Sequence, residues 1–187
     1  MATSNTSAGS DLNIILTGFM GTGKTSVARE LAHLLGRRVI DLDTEIEKSA
    51  GMSITEIFRK FGEPWFRDLE TRTARENARK KPAAIISTGG GVVLRSENME
   101  ALRESGIVFC LQATPETILK RTSSNNERPL LHVEDPLGRI RDMLSARAPF
   151  YSVCDSMIDT EGKSPRQIAE EILEKFWPLA EKRPSSR

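Results

Sequence analysis

The stretch Gly18-Phe19-Met20-Gly21-Thr22-Gly23-Lys24-Thr25 decides the fold class of this chain. Its spacing, G-x-x-x-x-G-K-[ST], is that of a P-loop, whose backbone N–H groups close around the phosphates of a nucleoside triphosphate. An apolar run at 12–17 precedes the loop, and apolar residues at helical spacing follow it. This context is the one that phosphate binding requires, because a helix N-terminus adds a positive dipole end. We therefore predict that Lys24 reaches the β- and γ-phosphates and that Thr25 ligates Mg²⁺, and we disfavour a chance glycine turn.

Length and composition indicate one ordinary domain. The chain has 187 residues and a net charge of +1, so no overall field would attract nucleic acid or an anionic membrane. No apolar run has the length of a membrane helix, and residues 1–10 lack the features of a signal peptide. We expect a disordered tail at 1–10, a single domain at 11–178 and a loose tail at 179–187. Two cysteines without a metal-binding cluster fit a reducing, cytoplasmic location, and we expect a monomer.

Strand-like and helix-like segments alternate along the whole chain. This order predicts a parallel sheet covered by helices on both faces, with ligands bound at the carboxyl ends of its strands. The predicted strands lie at 12–17, 38–42, 83–87, 107–111 and 153–158, and two of them contain Cys110 and Cys154.

Capping residues indicate where several helices begin. The sequence has helix-start signals at Ser53 to Glu56 (a capping box), Pro64, Thr114-Pro115, Asp135-Pro136 and Ser164-Pro165. We expect Pro178 to follow the end of the last helix.

Two carboxylates follow the second predicted strand. In an extended segment residues two apart point the same way, so Asp41 and Asp43 would both face the γ-phosphate, one toward Mg²⁺ and one toward an attacking hydroxyl. The alternative is structural: Asp43 or Thr44 would simply start the next helix.

Two further motifs would suit an anionic acceptor. Arg67 and Glu70 are three residues apart on one predicted helix face, so the carboxylate could fix the guanidinium as a planar fork. A solvated surface ion pair is the alternative. Gly89, Gly90 and Gly91 end the third predicted strand and permit close approach of a ligand to the backbone, whereas a plain tight turn would need fewer glycines.

A polar segment at 123–135, which contains Pro129 and is followed by Pro136, is predicted to be a mobile lid. Arg121, Arg128 and Arg147 lie in or around it, where arginines would exclude water and stabilise charge on a transferring group. From the residues alone, a merely basic and solvated loop is equally acceptable.

Taken in order, these motifs resemble the shikimate kinase family. The resemblance runs from about Leu12 to Phe176. It is carried by the P-loop, the D-x-D at Asp41, the run Gly62 to Glu70, the triple glycine, Arg128-Pro129-Leu130-Leu131 and Ala146-Arg147-Ala148-Pro149-Phe150-Tyr151.

The resemblance implies a P-loop NTPase fold, a three-layer α/β/α arrangement with a five-stranded parallel sheet in the order 2-3-1-4-5. It implies transfer of the ATP γ-phosphate to the 3-hydroxyl of shikimate, in aromatic amino-acid biosynthesis, with Mg²⁺ as cofactor. The substrate site implied by position comprises Asp43 (also the candidate base), Arg67, Gly89, Gly90, Gly91 and Arg147. The nucleotide site comprises Gly21, Thr22, Gly23, Lys24, Thr25, Ser26, Arg121, Arg128, Ser164 and Pro165, and Asp41 would support Mg²⁺ through water. Glu70 would orient Arg67.

Two other functions remain to be weighed. Another small-molecule P-loop kinase, such as a gluconate kinase, would share the loop and the fold but need not combine Arg67 and Arg147 with the triple glycine. A nucleotide-binding regulatory module without catalysis would be marked by degraded carboxylates, yet Asp41 and Asp43 are both present.

Overall fold

The protein is described by a computed structural model of residues 11–123 and 133–183. Five parallel strands form one sheet in the order β2-β3-β1-β4-β5, which confirms the predicted fold class. The strands are β1 (Asn13–Gly18), β2 (Val39–Asp41), β3 (Ile85–Ser87), β4 (Gly106–Gln112) and β5 (Ser156–Asp159).

Helices connect the strands and cover both faces of the sheet. They are α1 (Lys24–Leu35), α2 (Leu42–Ala50), α3 (Ile54–Ala78), α4 (Ser96–Ser105), α5 (Pro115–Thr122), α6 (Pro136–Tyr151) and α7 (Pro165–Glu181), with a short 3₁₀ turn at Val92–Leu94. Parallel neighbours require such crossovers, because a tight hairpin cannot return the chain to the start of the next strand.

The central strands are buried on both sides, which explains their continuous apolar sequences. On β1, Ile15 faces a cluster that includes Ala74 of α3 and Ile140 of α6. Its neighbour Ile14 faces the opposite cluster, which includes Phe176 of α7. Burial of each such large side chain contributes about 1.5–3 kcal/mol, so the central strands are held firmly in the core. The polar residues that follow β1, β2 and β3 are therefore held on a rigid frame.

Several helix starts are confirmed in detail. Ser53 Oγ accepts a hydrogen bond from the Glu56 N–H at 3.3 Å, and Glu56 Oε2 accepts one from the Ser53 N–H at 3.0 Å. Thr114, Asp135 and Ser164 each cap a helix whose first residue is proline. Helix α3 breaks at Gly62 (φ 78°, ψ 175°), so Pro64 lies in the first turn of a new helical segment, as predicted.

Strand β2 is shorter than predicted, and this changes the geometry of the carboxylates. The strand ends at Asp41, whose side chain caps α2, so Asp43 lies in the first helical turn. The prediction that both carboxylates extend from one strand is therefore wrong. A helix does start here, but it is capped by Asp41, which is earlier than the start at Asp43 or Thr44 in the alternative. Local capping prevails because Asp41 Oδ1 accepts the Thr44 N–H at 3.2 Å.

The start of β5 and the end of α7 also differ from the predicted positions. Strand β5 begins at Ser156, so Cys154 lies in the preceding turn and not in a strand. Pro178 lies inside α7, which continues to Glu181, so it does not follow the end of the last helix as predicted. Packing explains the extra turn: Ala180 is buried in the core, and this burial offsets the hydrogen bond that the proline removes.

Candidate active site

The P-loop joins β1 to α1, as its sequence predicts. Gly21 (φ 79°) and Gly23 (φ 96°) adopt left-handed conformations that other residues rarely adopt. A β-carbon on residue 21 would also lie 2.8 Å from Thr122 Cγ2 of α5. The Thr22 hydroxyl donates to the Phe19 carbonyl at 2.8 Å and closes the loop from inside. The loop thus presents its backbone at the N-terminus of α1, where an anion is favoured.

Lys24 folds back across the mouth of this loop. Its Nζ donates to the carbonyls of Gly18 at 2.8 Å and Phe19 at 3.0 Å. Thr25 and Ser26, in the first turn of α1, are exposed. The ammonium is therefore placed where incoming phosphate oxygens could replace carbonyl oxygens as its acceptors.

Asp43 is a carboxylate in an unfavourable environment for charge. Burial raises its pKa to about 6, and the adjacent Asp41 adds to this shift, while the positive charge of Lys24 opposes it. A carboxylate with this pKa is mostly ionised at pH 7 and is more basic than an ordinary aspartate. It therefore has the properties of a proton acceptor beside the P-loop lysine.

Arg67 is held in place by two carboxylates of its own helix. Its Nη1 donates to Glu70 Oε2 at 2.7 Å, and its Nε and Nη2 donate to Glu63 Oε1 at 3.2 and 3.0 Å. The Arg67 side chain is 13% exposed and that of Glu70 only 2%, so this is not the solvated surface pair of the alternative interpretation. Burial raises the pKa of Glu70, and Arg67 opposes the shift. The pair fixes the direction of the guanidinium.

The triple glycine follows β3 and lies among these side chains. A β-carbon on Gly89 would lie 2.6 Å from Asp43 Oδ1, and one on Gly91 would lie 2.6 Å from Arg67 Nη2. A β-carbon on Gly90 would lie 3.4 Å from the Met20 backbone nitrogen in the P-loop. The glycines therefore bring the P-loop, Asp43 and Arg67 together around one short segment.

Helix α6 contributes two residues to this region. The guanidinium carbon of Arg147 lies 5.9 Å from the centre of the Phe19 ring. One turn later, the Tyr151 hydroxyl donates to the Gly90 carbonyl at 2.6 Å. Tyr151 was not predicted to have a role of its own, although an aromatic residue four positions after Arg147 shares its helix face.

Arg121 lies beside the P-loop on α5. Its Nη1 donates to Thr160 Oγ1 at 3.1 Å and to the Gly21 carbonyl at 3.4 Å, and its Nη2 donates to the Thr160 carbonyl at 3.2 Å. Ser164 and Pro165 begin α7 shortly after Thr160, and the Ser164 hydroxyl caps that helix. Arg128 and most of the predicted lid, residues 124–132, lie outside the described residues.

Within 11–123 and 133–183 there is no group of three or more histidine, cysteine or acidic side chains able to hold an ion. In the same ranges no helix is long and apolar enough to cross a membrane.

Fold and site together define a P-loop kinase for a small anionic substrate. A nucleotide-binding loop lies close to Asp43, a carboxylate with a raised pKa, and to Arg67, whose direction is fixed by Glu70. These residues lie at the carboxyl ends of parallel strands, where such sheets bind ligands.

Comparison with known proteins defines the family more narrowly. A family model described as shikimate kinase matches residues 20–177. The chain is 49% identical to the shikimate kinase of Thermodesulfovibrio yellowstonii over 168 residues, which cover 90% of this chain and 96% of the relative. It is 46% identical to the shikimate kinase of Thermus thermophilus over 91% of this chain and 92% of the relative. The chain therefore belongs to the shikimate kinase family of ATP-dependent phosphotransferases.

Solved structures agree with this assignment. A shikimate kinase from Acinetobacter baumannii in complex with shikimate superposes with a TM-score of 0.85 at 42% identity, covering 95% of this chain and 98% of that one. A gluconokinase from Sinorhizobium meliloti 1021 superposes with a TM-score of 0.57 at 19% identity over 92% of this chain and 95% of that one, which shows a shared fold alone.

Proposed function

We propose that this protein transfers the γ-phosphoryl group of ATP to the 3-hydroxyl of shikimate, giving shikimate 3-phosphate and ADP in aromatic amino-acid biosynthesis. One observation carries the proposal beyond family membership. Asp43 packs against Gly89 and Arg67 packs against Gly91, and the charge of Lys24 acts on Asp43, so a base, an anion-binding guanidinium and a phosphate-binding cation are gathered along one short segment.

On the nucleotide side, the backbone of Gly21, Thr22 and Gly23 would cradle the phosphates, with Thr25 and Ser26 at the helix start. Lys24 would exchange the carbonyls of Gly18 and Phe19 for oxygens of the β- and γ-phosphates. Arg121, fixed by Thr160, would flank the adenine together with Ser164 and Pro165. Arg128 would face the phosphates from the lid.

On the acceptor side, Arg67 and Arg147 would bind the carboxylate of shikimate and the backbone of Gly89, Gly90 and Gly91 would approach it closely. Asp43 would accept the proton of the shikimate 3-hydroxyl. The hydroxyl oxygen would bond to the γ-phosphorus as the bond between that phosphorus and the ADP oxygen breaks. The raised pKa of Asp43 suits this role, because a proton acceptor works best when its pKa lies near the working pH.

Mg²⁺ fits the residues present. Thr25 offers an exposed hydroxyl, and Asp41 uses Oδ1 to cap α2, which leaves Oδ2 to bind a coordinated water. Mg²⁺ in phosphate sites commonly takes one or two protein oxygens and fills its remaining positions with phosphate and water. When bound, it would neutralise charge on the β- and γ-phosphates.

We also propose that the protein acts as a cytoplasmic monomer. Support for the location comes from its two free thiols, which suit a reducing compartment. Sedimentation at micromolar concentration tests the oligomeric state, and a dimer there would refute this part.

The experiment for the activity is a coupled assay of ADP release from ATP and Mg²⁺ with a panel of acceptors. We expect strong stimulation by shikimate and none by gluconate. Brisk turnover with gluconate and no response to shikimate would overturn the proposal.

A further inference from the structure

Tyr151 links helix α6 to the glycine segment through one short hydrogen bond. Its side chain is buried, with 6% of its surface exposed, and its hydroxyl donates to the Gly90 carbonyl at 2.6 Å. Burial raises the pKa of Tyr151 to about 12, against the opposing charge of Arg147. The phenol is therefore protonated throughout the working pH range and remains a hydrogen-bond donor.

This bond sets the direction of a whole peptide unit. The Gly90–Gly91 peptide is trans, so its N–H points opposite to its carbonyl. With the carbonyl turned toward Tyr151, the Gly91 N–H points away from α6, and it has no hydrogen-bond partner within residues 11–123 and 133–183. A glycine peptide has no side chain to hold it, so it would otherwise rotate easily.

The surroundings show why this orientation matters. The α-carbon of Gly91 faces the Arg67 guanidinium, and that of Gly90 faces the P-loop backbone at Met20. Rotation of the peptide between them would move the free N–H relative to Arg67. Arg147, one helical turn before Tyr151, contributes its charge next to the phenol.

We propose that Tyr151 is a positioning residue for the phosphoryl acceptor: its hydroxyl fixes the Gly90–Gly91 peptide so that the Gly91 N–H and Arg67 present one preformed anion site. Tyr151 itself touches neither nucleotide nor the reacting atoms in this role. The inference rests on the proposed function, because the acceptor that it positions is shikimate.

The test compares Tyr151→Phe, which removes only the hydroxyl, with Ser105→Ala. Ser105 Oγ donates to the Leu102 carbonyl at 2.8 Å at the end of α4, so the control also loses one hydroxyl-to-carbonyl bond. Since one such bond controls the peptide, we expect Tyr151→Phe to raise the KM and Kd for shikimate roughly three- to tenfold. The KM for ATP should change less than twofold. Ser105→Ala should leave both KM values unchanged, and thermal unfolding should show both variants folded.

Two results would be decisive against the inference. A shikimate KM within twofold of wild type in Tyr151→Phe would show that the hydroxyl positions nothing. Equal rises in the KM values for shikimate and ATP would show a general structural loss. A wild-type protein without shikimate-dependent ADP release would instead refute the proposed function, and this inference with it.

Discussion

The carboxylate of Asp43 and the α-carbon of Gly89 are packed directly against each other: a β-carbon on residue 89 would lie 2.6 Å from Asp43 Oδ1. The same relationship links Arg67 to Gly91. Gly89 and Gly91 are thus required by the protein's own side chains, independently of any ligand. They allow residues from α2 and α3 to approach the P-loop more closely than other residues in that segment would permit.

Alanine substitutions in this segment should have unequal effects. Gly89→Ala should displace Asp43 and lower kcat, and Gly91→Ala should displace Arg67 and raise the shikimate KM, each by roughly tenfold or more. Both clashes involve ends of side chains, so the fold should survive. Gly90→Ala is the matched control, because its β-carbon would meet nothing closer than 3.4 Å. Steady-state assays measure these effects, and equal losses in all three variants would contradict this steric explanation.

Arg67→Ala should weaken shikimate binding much more than ATP binding. A hydrogen bond to a charged group contributes about 1.5–3 kcal/mol, so the shikimate Kd should rise roughly ten- to a hundredfold. Arg67→Lys should restore only part of the shikimate affinity, because an ammonium group lacks the planar geometry of a guanidinium. The lysine keeps a positive charge beside the buried Glu70. Calorimetric titration measures both constants.

A surface arginine provides the control for this series. Arg75 pairs with Glu97 at 2.9 Å, with both side chains nearly half exposed, so Arg75→Ala should change neither constant. Unchanged shikimate affinity in Arg67→Ala would mean that its ion pairs are purely structural.

Asp43→Asn should nearly abolish turnover and yet stabilise the ligand-free protein at neutral pH. The folded pKa of about 6 lies above the reference value of 3.8, so the folded state binds more protons between these values and loses stability as pH rises through them. The loss of folding stability caused by ionised, buried Asp43 is absent below pH 3.8 and complete above pH 6. Since each pKa unit corresponds to about 1.4 kcal/mol, the variant should gain roughly 1–3 kcal/mol at pH 7.5 and almost nothing near pH 4. Denaturant unfolding without Mg²⁺ at both pH values measures this gain, and an equal gain at both would contradict it.

Asp41→Asn separates the two carboxylates. Asparagine also caps helices well, so stability should change little, while the Mg²⁺ concentration needed for half-maximal activity should rise. Magnesium titrations of both variants test this division. The same moderate loss in both at every Mg²⁺ concentration would contradict separate roles.

Arg128 remains a prediction from the sequence, since it lies outside the described residues. If it faces the phosphates, Arg128→Ala should lower kcat by about a thousandfold or more and leave thermal unfolding nearly unchanged. Hydrogen exchange should show residues 123–135 gaining protection when ADP and shikimate are added. A near-normal kcat together with equal protection in both states would identify this segment as a solvated connector.

The sequence by itself determined the sheet, the P-loop and most helix starts, because these features depend on local periodicity and on glycine or capping chemistry at fixed spacing. Its motifs also indicated the family and brought Arg67, Glu70 and the three glycines forward as candidates. The predicted end of β2 was wrong for a local reason, because the Asp41 cap starts α2 earlier. Local patterns could not place the end of α7, because burial of Ala180 in the core extends that helix beyond Pro178.

Only the tertiary structure decided how the candidate residues meet. It raised the pKa of Asp43 through burial, enclosed the Arg67–Glu70 pair, and showed that Gly89 and Gly91 make space for those side chains. It also joined Tyr151 to Gly90, 61 positions apart in the chain. Such contacts arise because the parallel crossovers bring distant strand ends to one edge of the sheet. The spacing of residues along the chain does not predict them.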